Sequence, residues 1–403
     1  RDLNLMQTPP PLTSQSSIYT LSFALLCLSS LLFSASFNML IPELPAYLSS
    51  LGGAEHKGLI IALFTVTAGI SRPFSGKLTD TIGRVPVMAI GSIVCFVCGF
   101  LYPILSSVSG FLFLRLLHGF STGFKPTATS AYVADIIPVN RWGEALGIHG
   151  LCFSTGMAIG PAIGSFISDH YSINVLFYTS SAFALLSILI VMNMKETVKQ
   201  KQKFRFALLR ISRNEVIEKQ VLPAAIVTLL SYMSYGVILT LVPDWGEFLG
   251  VTNKGLFFMT FTIASLLIRF IAGKLSDKHG RVLVIKTALI LLCISMILVG
   301  MASSALSLLL ASALYGVATG ILSPANNAWT IDLSRPDHRG KAVATMYIAL
   351  EAGIGIGAYL AGLAFQEHSE RIPYIFYGSA ALAFTAFLYL LIRNNPGKSP
   401  INP

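Results

Sequence analysis

A nine-residue segment occurs twice in this chain, and its two copies are separated by half of the sequence. Residues 76–84 read GKLTDTIGR and residues 273–281 read GKLSDKHGR, so six positions agree at a separation of 197 residues. The same separation places Arg72 on Arg269. Glycines and charged residues recur in this way while the apolar residues between them differ, which indicates one backbone geometry built twice. The chain is therefore predicted to fold as two related halves.

The apolar composition places both halves in a membrane. Hydrophobic residues make up 54% of the 403 residues and charged residues only 11%, whereas soluble domains average about 25% charged residues. The mean hydropathy is +0.71. A helix needs about 20 apolar residues to cross the hydrocarbon core. We therefore expect an all-α membrane protein with twelve transmembrane helices in two pseudo-symmetric six-helix halves, at 17–45, 57–79, 85–106, 109–136, 143–168, 173–194, 221–246, 254–276, 282–303, 305–333, 340–366 and 371–393.

The predicted organisation has five parts along the chain. They are a cytoplasmic N-terminal segment at 1–16, a first half at 17–194, a cytoplasmic linker at 195–220, a second half at 221–393 and a cytoplasmic tail at 394–403. The first apolar run is too long for a cleaved signal, so we interpret it as a genuine span. The linker mixes basic and apolar residues, which predicts an amphipathic helix at the membrane interface.

The distribution of positive charge predicts the orientation. The formal net charge is +10, and most Lys and Arg residues fall in the termini and in the loops on one side of the predicted spans. The positive-inside rule places that side in the cytoplasm, together with both termini. We expect a multi-pass protein of the plasma membrane, the inner membrane in a bacterium. The charge then requires no nucleic-acid partner.

The cysteines indicate neither a metal site nor a disulfide framework. All five fall within predicted spans. Cys95 and Cys98 form a C-x-x-C pair without a neighbouring His or further Cys, and we interpret them as packing residues. We predict no metal and no cofactor.

Three motifs resemble those of one transporter family. Residues 76–84 carry the pattern Gly-x-Leu-x-Asp-x-x-Gly-Arg, which resembles the span 2–3 signature of the major facilitator superfamily. Arg115 to Gly123 resembles its Arg-x-x-x-Gly motif in span 4. Residues 156–164 are similar to the Gly-x-x-x-Gly-Pro-x-x-x-Gly motif of its antiporter, or export, branch. The resemblance implies a transporter and not an enzyme. It implies two halves that expose a midplane site to each side in turn, and export of small amphipathic organic compounds coupled to protons. We expect a monomer in the lipid bilayer.

The repeated segments are expected to form a cytoplasmic gate. An Asp near the N-terminus of a neighbouring helix is stabilised by about 0.3–1 kcal/mol when exposed and up to about 2 kcal/mol when partly buried. Such a contact would be a latch that one conformation makes and the other breaks. The glycines would permit a close helix approach and a left-handed turn. The predicted gate residues are Gly76, Asp80, Gly83, Arg84, Gly273, Asp277, Gly280 and Arg281.

Charged residues inside the predicted spans are candidates for proton and substrate coupling. Each costs on the order of 2.5–3.5 kcal/mol on insertion scales, so we expect partners or a wet cavity beside it. The resemblance implies a coupling role for Arg115. Lys125 has no basic counterpart in the second half, which favours a functional role over a structural ion pair. Glu351 stands near the midplane as a proton-titrating or substrate-binding group, with Lys125 as a candidate nearby cation.

The end of the first span contributes two further candidates. Pro42 and Pro45 interrupt regular helical hydrogen bonding, so the chain is expected to break there beside a cavity. Glu43 lies at this break, either as a proton or substrate group or as a rim residue. Some multidrug members of the family have an acid where this chain has Asn38. Proton coupling would then use Glu43 or Glu351, or be absent.

Spans 1, 4, 7 and 10 line the central cavity if the family arrangement holds. The polar and aromatic residues expected in its wall are Tyr232, Tyr235, Asn326, Asn327 and Trp329. Small residues spaced four positions apart predict close helix packing. The family resemblance implies that this face of span 5 packs against the other half. The packing residues are Gly156, Gly160, Pro161, Gly164, Gly353 and Gly357.

Other functions stay open at this point. Two intramembrane cations equally suit an anionic metabolite or a siderophore, and sugars are a further alternative. A membrane receptor, scaffold or enzyme is disfavoured because the predicted loops are short and contain no nucleophile–base set or metal-ligand spacing.

Overall fold

The computed structural model describes residues 20–138, 141–210, 217–335 and 339–393. The predicted terminal segments 1–16 and 394–403 lie outside the described residues. Within the described ranges the chain forms α-helices and short 3₁₀ turns and contains no strand. The helices are α1 (Leu21–Asn38), α2 (Leu44–Ser50), α3 (Lys57–Thr81), α4 (Arg84–Leu101), α5 (Val108–Ile136), α6 (Trp142–His170), α7 (Ile173–Met192), α8 (Leu222–Phe248), α9 (Leu256–His279), α10 (Arg281–Gly300), α11 (Ala305–Leu333), α12 (Arg339–Phe365) and α13 (Ile372–Ile392).

The long helices correspond one to one with the predicted spans. Ten described helices are long and apolar enough to cross a membrane. Helix α9, bent by 50° between Arg269 and Ile271, is an eleventh if both parts count as one span. Helix α5, which contains Arg115 and Lys125, does not meet the same criteria of length and apolarity. The fold is thus all-α and multi-pass, and the number of twelve membrane spans stays a prediction.

The predicted break in the first span is confirmed. Helix α1 ends at Asn38, residues 39–43 form turns, and the short α2 begins at Leu44 with Pro45 in its first turn. Proline lacks the backbone N–H that a continuing helix needs and is tolerated only in the first turn. The chain therefore bends at this position.

The duplicated sequence appears in the packing of the helices. In the first half α5 packs against α3 and α4, and α1 against α6; in the second half α11 packs against α9 and α10, and α8 against α12. The same helix pairs are thus used in both halves. Between the halves, the two main contacts are α3 with α12 and α6 with α9. These two contacts are also related by the repeat, which fixes a pseudo-twofold arrangement around a central space.

The glycines of α6 pack within their own half. A Cβ atom on Gly156 would lie 2.5 Å from the carbonyl oxygen of Leu31, and one on Gly160 would lie 3.0 Å from that of Ala35. Both partners are on α1. The prediction that this face contacts the other half is therefore wrong, because the glycines serve the close approach of α1. Equivalent contacts with α1 or α8 are made by Gly164, Gly353 and Gly357.

Pro161 lies where the two halves meet. Its carbonyl group faces Gly255 at the start of α9, so closely that a Cβ atom on Gly255 would clash with it. The side-chain Nδ2 of Asn253 donates to the carbonyl oxygen of Ala162 at 2.9 Å. The proline of this motif thus belongs to the contact between the halves although its glycines do not.

The described part of the linker is not an amphipathic helix. Residues 195–205 have no regular structure, and only a 3₁₀ turn follows at Phe206–Leu209. The first half holds this segment: Glu196 accepts hydrogen bonds from the backbone N–H of Arg84 at 3.0 Å and of Val85 at 3.1 Å. These contacts compete with a helix lying on the membrane, so the prediction is wrong for these residues. Residues 211–216 lie outside the described residues.

Candidate functional site

A cavity of about 1160 Å³ lies between the two halves. Its walls are largely aromatic and aliphatic, and they include Phe37, Phe64, Phe153, Met157, Tyr235 and Ile354. The cavity extends to Lys77 and Asp80 on α3 and to Lys341 on α12. We call this end of the bundle, where residues 76–84 and 273–281 lie, the signature face, and the other end the opposite face. Asp80 is 73% exposed, so the cavity opens at the signature face.

Ion pairs close the opposite face. The ammonium group of Lys57 lies 3.1 Å from Asp244 at the end of α8 and 2.9 Å from Glu367 beyond α12. One residue further along α3, a Cβ atom on Gly58 would lie 2.6 Å from the carbonyl oxygen of Ala358. Backbone-to-backbone packing of α3 against α12 leaves no passage here. The first half and the second half are therefore in direct contact at this face.

Glu43 belongs to the closed face. Ser165 donates a hydrogen bond to its carboxylate at 2.6 Å, and the Glu43 residue is 6% exposed. Glu43 is not among the residues that line the cavity. Its proposed coupling role would therefore require the opposite face to open first.

An ion pair crosses the cavity near its middle. The guanidinium of Arg72 on α3 lies 2.7 Å from the carboxylate of Glu351 on α12, and both residues line the cavity. The ring of Tyr347 lies 4.7 Å from the guanidinium carbon. A Cβ atom on Gly69 would lie 3.3 Å from the Cβ of Glu351, so the glycine provides space for this acid. The two halves are thus joined by charge inside the cavity as well as at the opposite face.

Lys125 is not the cation beside Glu351, and that prediction is wrong. Lys125 is 1% exposed and does not line the cavity. Its ammonium donates to the Ser29 side chain at 2.7 Å, to the Ser29 carbonyl at 3.2 Å and to the Ser187 hydroxyl. The side chain points into the interface of α5 with α1 and α7, because serines there provide the oxygen acceptors. The sequence analysis did not identify Arg72 as the partner of Glu351. The repeat of this arginine at Arg269 was the one feature of the sequence that could have indicated a functional role.

Arg115 and Asn38 lie in the cavity wall. Arg115 is 2% exposed, donates from Nε to the Ile60 carbonyl at 2.9 Å and stacks at 4.6 Å over the ring of Phe64. Asn38 donates from Nδ2 to the carbonyl of Ser34 at 2.8 Å. Each residue therefore lines the cavity while one of its polar groups donates a hydrogen bond to a backbone carbonyl.

The predicted wall residues divide into two groups. Tyr232, Tyr235 and Asn327 line the cavity. Asn326 instead donates to the hydroxyl of Thr228 within the second half, and Trp329 is buried away from the cavity. Adjacent residues on a helix are separated by about 100° of rotation, so Asn326 and Asn327 face different neighbours. The predictions for Asn326 and Trp329 are wrong for this reason.

The predicted gate residues form the same arrangement in both halves. Arg84 donates to Asp80 at 2.6 Å and to Asp135 at 3.0 Å. Gly83 has a φ of +126°, which confirms the predicted left-handed turn. The second half repeats both features with Arg281, Asp277, Asp332 and Gly280, whose φ is +87°.

The predicted latch is not engaged in this conformation. Glu196 accepts the hydrogen bonds of the first N–H groups of α4, and the carboxylate of Asp80 pairs with Arg84 in its own half. A Cβ atom on Gly76 or Gly273 would meet nothing within 4 Å. Because the signature face is open, the space beside these glycines is empty. The latch stays a prediction for the conformation in which this face is closed.

Comparison with known proteins gives a consistent result. A family model described as the Major Facilitator Superfamily matches residues 26–222 and 224–403. The chain is 30% identical over 310 residues to the multi-drug resistance efflux pump PmrA of Streptococcus pneumoniae, covering 73% of this chain and 76% of that protein. It is 25% identical over 356 residues to Multidrug resistance protein 2 of Bacillus subtilis, covering 85% and 88%.

A solved structure shares the fold at low identity. The crystal structure of a POT family transporter in complex with 5-aminolevulinic acid superposes with a TM-score of 0.79 at 12% identity, covering 94% of this chain and 97% of that one. At this identity the likeness concerns the arrangement of the helices alone. It agrees with the arrangement of the helices in two halves described above.

Proposed function

The chain belongs to the major facilitator superfamily, and we propose that it is a secondary active transporter that exports small amphipathic organic compounds in exchange for protons. The similarity to efflux pumps supports the direction of transport. The largely apolar wall of the cavity supports an amphipathic substrate. The proposed location is the plasma membrane, or the inner membrane in a bacterium, with both termini in the cytoplasm.

One observation carries this proposal: the cavity between the halves is open at the signature face and closed at the opposite face. The positive-inside rule assigns the signature face to the cytoplasm. Substrate would enter from the cytoplasm in this conformation. Rocking of the halves about the α3–α12 and α6–α9 contacts would then expose it to the other side.

The Arg72–Glu351 pair supplies a route for coupling to protons. An ionised Glu351 holds α12 to α3 through Arg72 in the conformation described here. Substrate binding from the cytoplasm would break this pair and allow the opposite face to open, and a proton from that side would then bind Glu351 before the halves return to the conformation described here. Release of the proton to the cytoplasm would restore the pair, and the cavity could then bind substrate again. A ligand shifts such an equilibrium only by its differential affinity for the two states, so the proposal requires the pair to form in one state and to be broken in the other.

Transport by reconstituted protein tests the proposal. Proteoliposomes would be given an imposed pH gradient and a panel of cationic, neutral and anionic amphipathic dyes. We expect the gradient to drive dye movement by the parent protein and not by Glu351→Gln. The double variant Arg72→Gln/Glu351→Gln is the matched control, because it removes the coupling acid without leaving an unpaired arginine in the cavity. Absence of movement for every dye would contradict the proposal.

A further inference from the structure

The two cavity arginines related by the repeat have different surroundings. Arg72 is neutralised by Glu351 of the other half. Arg269 is its counterpart on α9, and it is also an exposed residue that lines the cavity. The counterpart of Glu351 in the first half is Ser154, which lines the cavity on α6. The repeat therefore places a carboxylate opposite one arginine and a hydroxyl opposite the other.

The other cations of the cavity have partners. Arg115 donates to a carbonyl group, Lys77 donates to the carbonyl oxygen of Arg210 at 2.7 Å, and Lys341 lies 3.6 Å from Glu218. Among the described residues, Arg269 is the cavity-lining cation for which neither an ion pair nor a hydrogen bond is found. Arg269 is exposed to the cavity, so its guanidinium can bind an anionic group in place of solvent. Arg269 is thus the cavity-lining cation that is available to a negatively charged substrate group.

The residues around Arg269 suit an anionic group. Tyr232, Ser323 and Asn327 line the same cavity as Arg269. Hydroxyl and amide groups can donate hydrogen bonds to an anion that a guanidinium holds in a bidentate manner. The opposite wall contributes Phe37, Phe153 and Met157, against which an apolar body can pack.

From this asymmetry we propose that the transported compounds are amphipathic organic anions and that Arg269 binds their carboxylate, sulfonate or phosphonate group. The proposal rests on the transport function proposed above and specifies its substrate class. Arg269 is the counter-ion of the substrate. It pairs with the substrate as Arg72, its counterpart in the first half, pairs with Glu351. A cationic compound of the same shape is repelled at this position.

Three small naphthalene compounds that differ in charge test the proposal. The probes are 1-naphthalenesulfonate, 1-naphthalenemethanol and 1-naphthylmethylammonium, with binding measured calorimetrically and uptake measured in phosphatidylcholine proteoliposomes. We expect the parent protein to bind the sulfonate at least about tenfold more tightly than the ammonium compound, the scale of one charge-assisted hydrogen bond. Arg269→Gln is expected to lose at least about tenfold in sulfonate affinity and to bind the neutral alcohol within about twofold of the parent.

Two control variants separate local from general effects. Arg269→Lys retains the charge and is expected to keep sulfonate affinity within about threefold to tenfold, since it loses only the bidentate geometry. Arg393→Gln makes the same charge change on an exposed residue at the end of α13, and we expect no change. Equal melting temperatures of the parent and Arg269→Gln would show that the fold is intact.

The outcomes distinguish this proposal from the one on which it rests. Unchanged sulfonate affinity in Arg269→Gln, or equal affinity of the parent for the ammonium compound, would overturn the anion proposal. Uptake of the alcohol and the ammonium compound would then leave the transporter proposal standing. If none of the three probes bound or moved, the transport proposal itself would fail, and the anion proposal with it.

Discussion

The guanidinium of Arg72 lies 2.7 Å from the carboxylate of Glu351, and this contact joins residues that are 279 positions apart in the sequence. It connects α3 of the first half with α12 of the second inside the cavity. Lys57 and Gly58 bring the same two helices together at the opposite face, about 22 Å away along α3. One helix pair therefore carries both the closure of the opposite face and the ionic link in the cavity.

Removing one partner of this ion pair should destabilise the protein. Glu351→Gln leaves Arg72 without its counter-ion in a partly buried position, and breaking such a pair costs on the order of 3–5 kcal/mol in buried sites. We expect a lower melting temperature in detergent. The double variant Arg72→Gln/Glu351→Gln should recover part of the loss because neither charge is left alone. A double variant less stable than Glu351→Gln would contradict the pairing.

A side chain on Gly58 should prevent closure of the opposite face. Because a Cβ atom there would lie 2.6 Å from the Ala358 carbonyl, Gly58→Val forces α3 away from α12. We expect transport to be lost and the opposite face to become accessible to a membrane-impermeant thiol reagent at a cysteine introduced nearby. Gly378→Val is the matched control, since a Cβ atom there would meet nothing within 4 Å. Equal accessibility in both variants would exclude this role for Gly58.

Replacement of Asp244 should weaken the same closure electrostatically. Asp244→Asn keeps the shape of the side chain but removes one of the two carboxylates around Lys57. Glu367 is 47% exposed and so provides the weaker, more screened interaction. We expect faster hydrogen exchange at the start of α3, with a change smaller than in Gly58→Val. Unaltered exchange there would show that Glu367 alone is sufficient.

Lys125 should be dispensable for substrate binding. The ammonium is held by serine oxygens outside the cavity, and Lys125→Met keeps the length of the side chain while removing the buried charge. Replacing a buried ionic group by an apolar one of similar volume is often neutral or stabilising by about 1–4 kcal/mol. We expect an unchanged or higher melting temperature and substrate affinity within about twofold of the parent. A large loss of affinity with an intact fold would return Lys125 to the candidate coupling residues.

The repeated segments should affect the rate of transport and not substrate binding. Asp80 pairs with Arg84 in its own half in this conformation, so its proposed latch acts when the signature face closes. Asp80→Asn is therefore expected to slow transport while leaving substrate affinity, measured by calorimetry, within about twofold of the parent. Loss of affinity without loss of rate would contradict a gating role.

The parts of the account that depend on local spacing could be predicted from the sequence. The repeat at 76–84 and 273–281 predicted the left-handed turns at Gly83 and Gly280, and the two prolines after Asn38 predicted the break of the first span. These features depend on backbone conformation within a few residues. They are therefore visible in a single sequence.

The parts that depend on helix rotation could not be predicted. Spans that are apolar all round give no amphipathic pattern, so nothing indicated that Lys125 points toward α1 and α7 or that Asn326 and Asn327 face different neighbours. The partner of Glu351 depends on which helices of the two halves meet, and the sequence shows only that both halves share a plan. Arg269 was visible as a duplicated arginine, but only the structure shows that no ion pair or hydrogen bond to it is found among the described residues.

A distance measurement across the opposite face tests whether the Arg72–Glu351 ion pair controls its closure. Spin labels would be placed at Ser50 and Glu370, two exposed residues that belong to different halves, in a background with the five native cysteines replaced. Glu351→Gln removes the charge that pairs with Arg72, and we expect a longer distance between the labels than in the parent because the ionic link between α3 and α12 is gone. The same distance distribution in both proteins would contradict alternating access controlled by this ion pair.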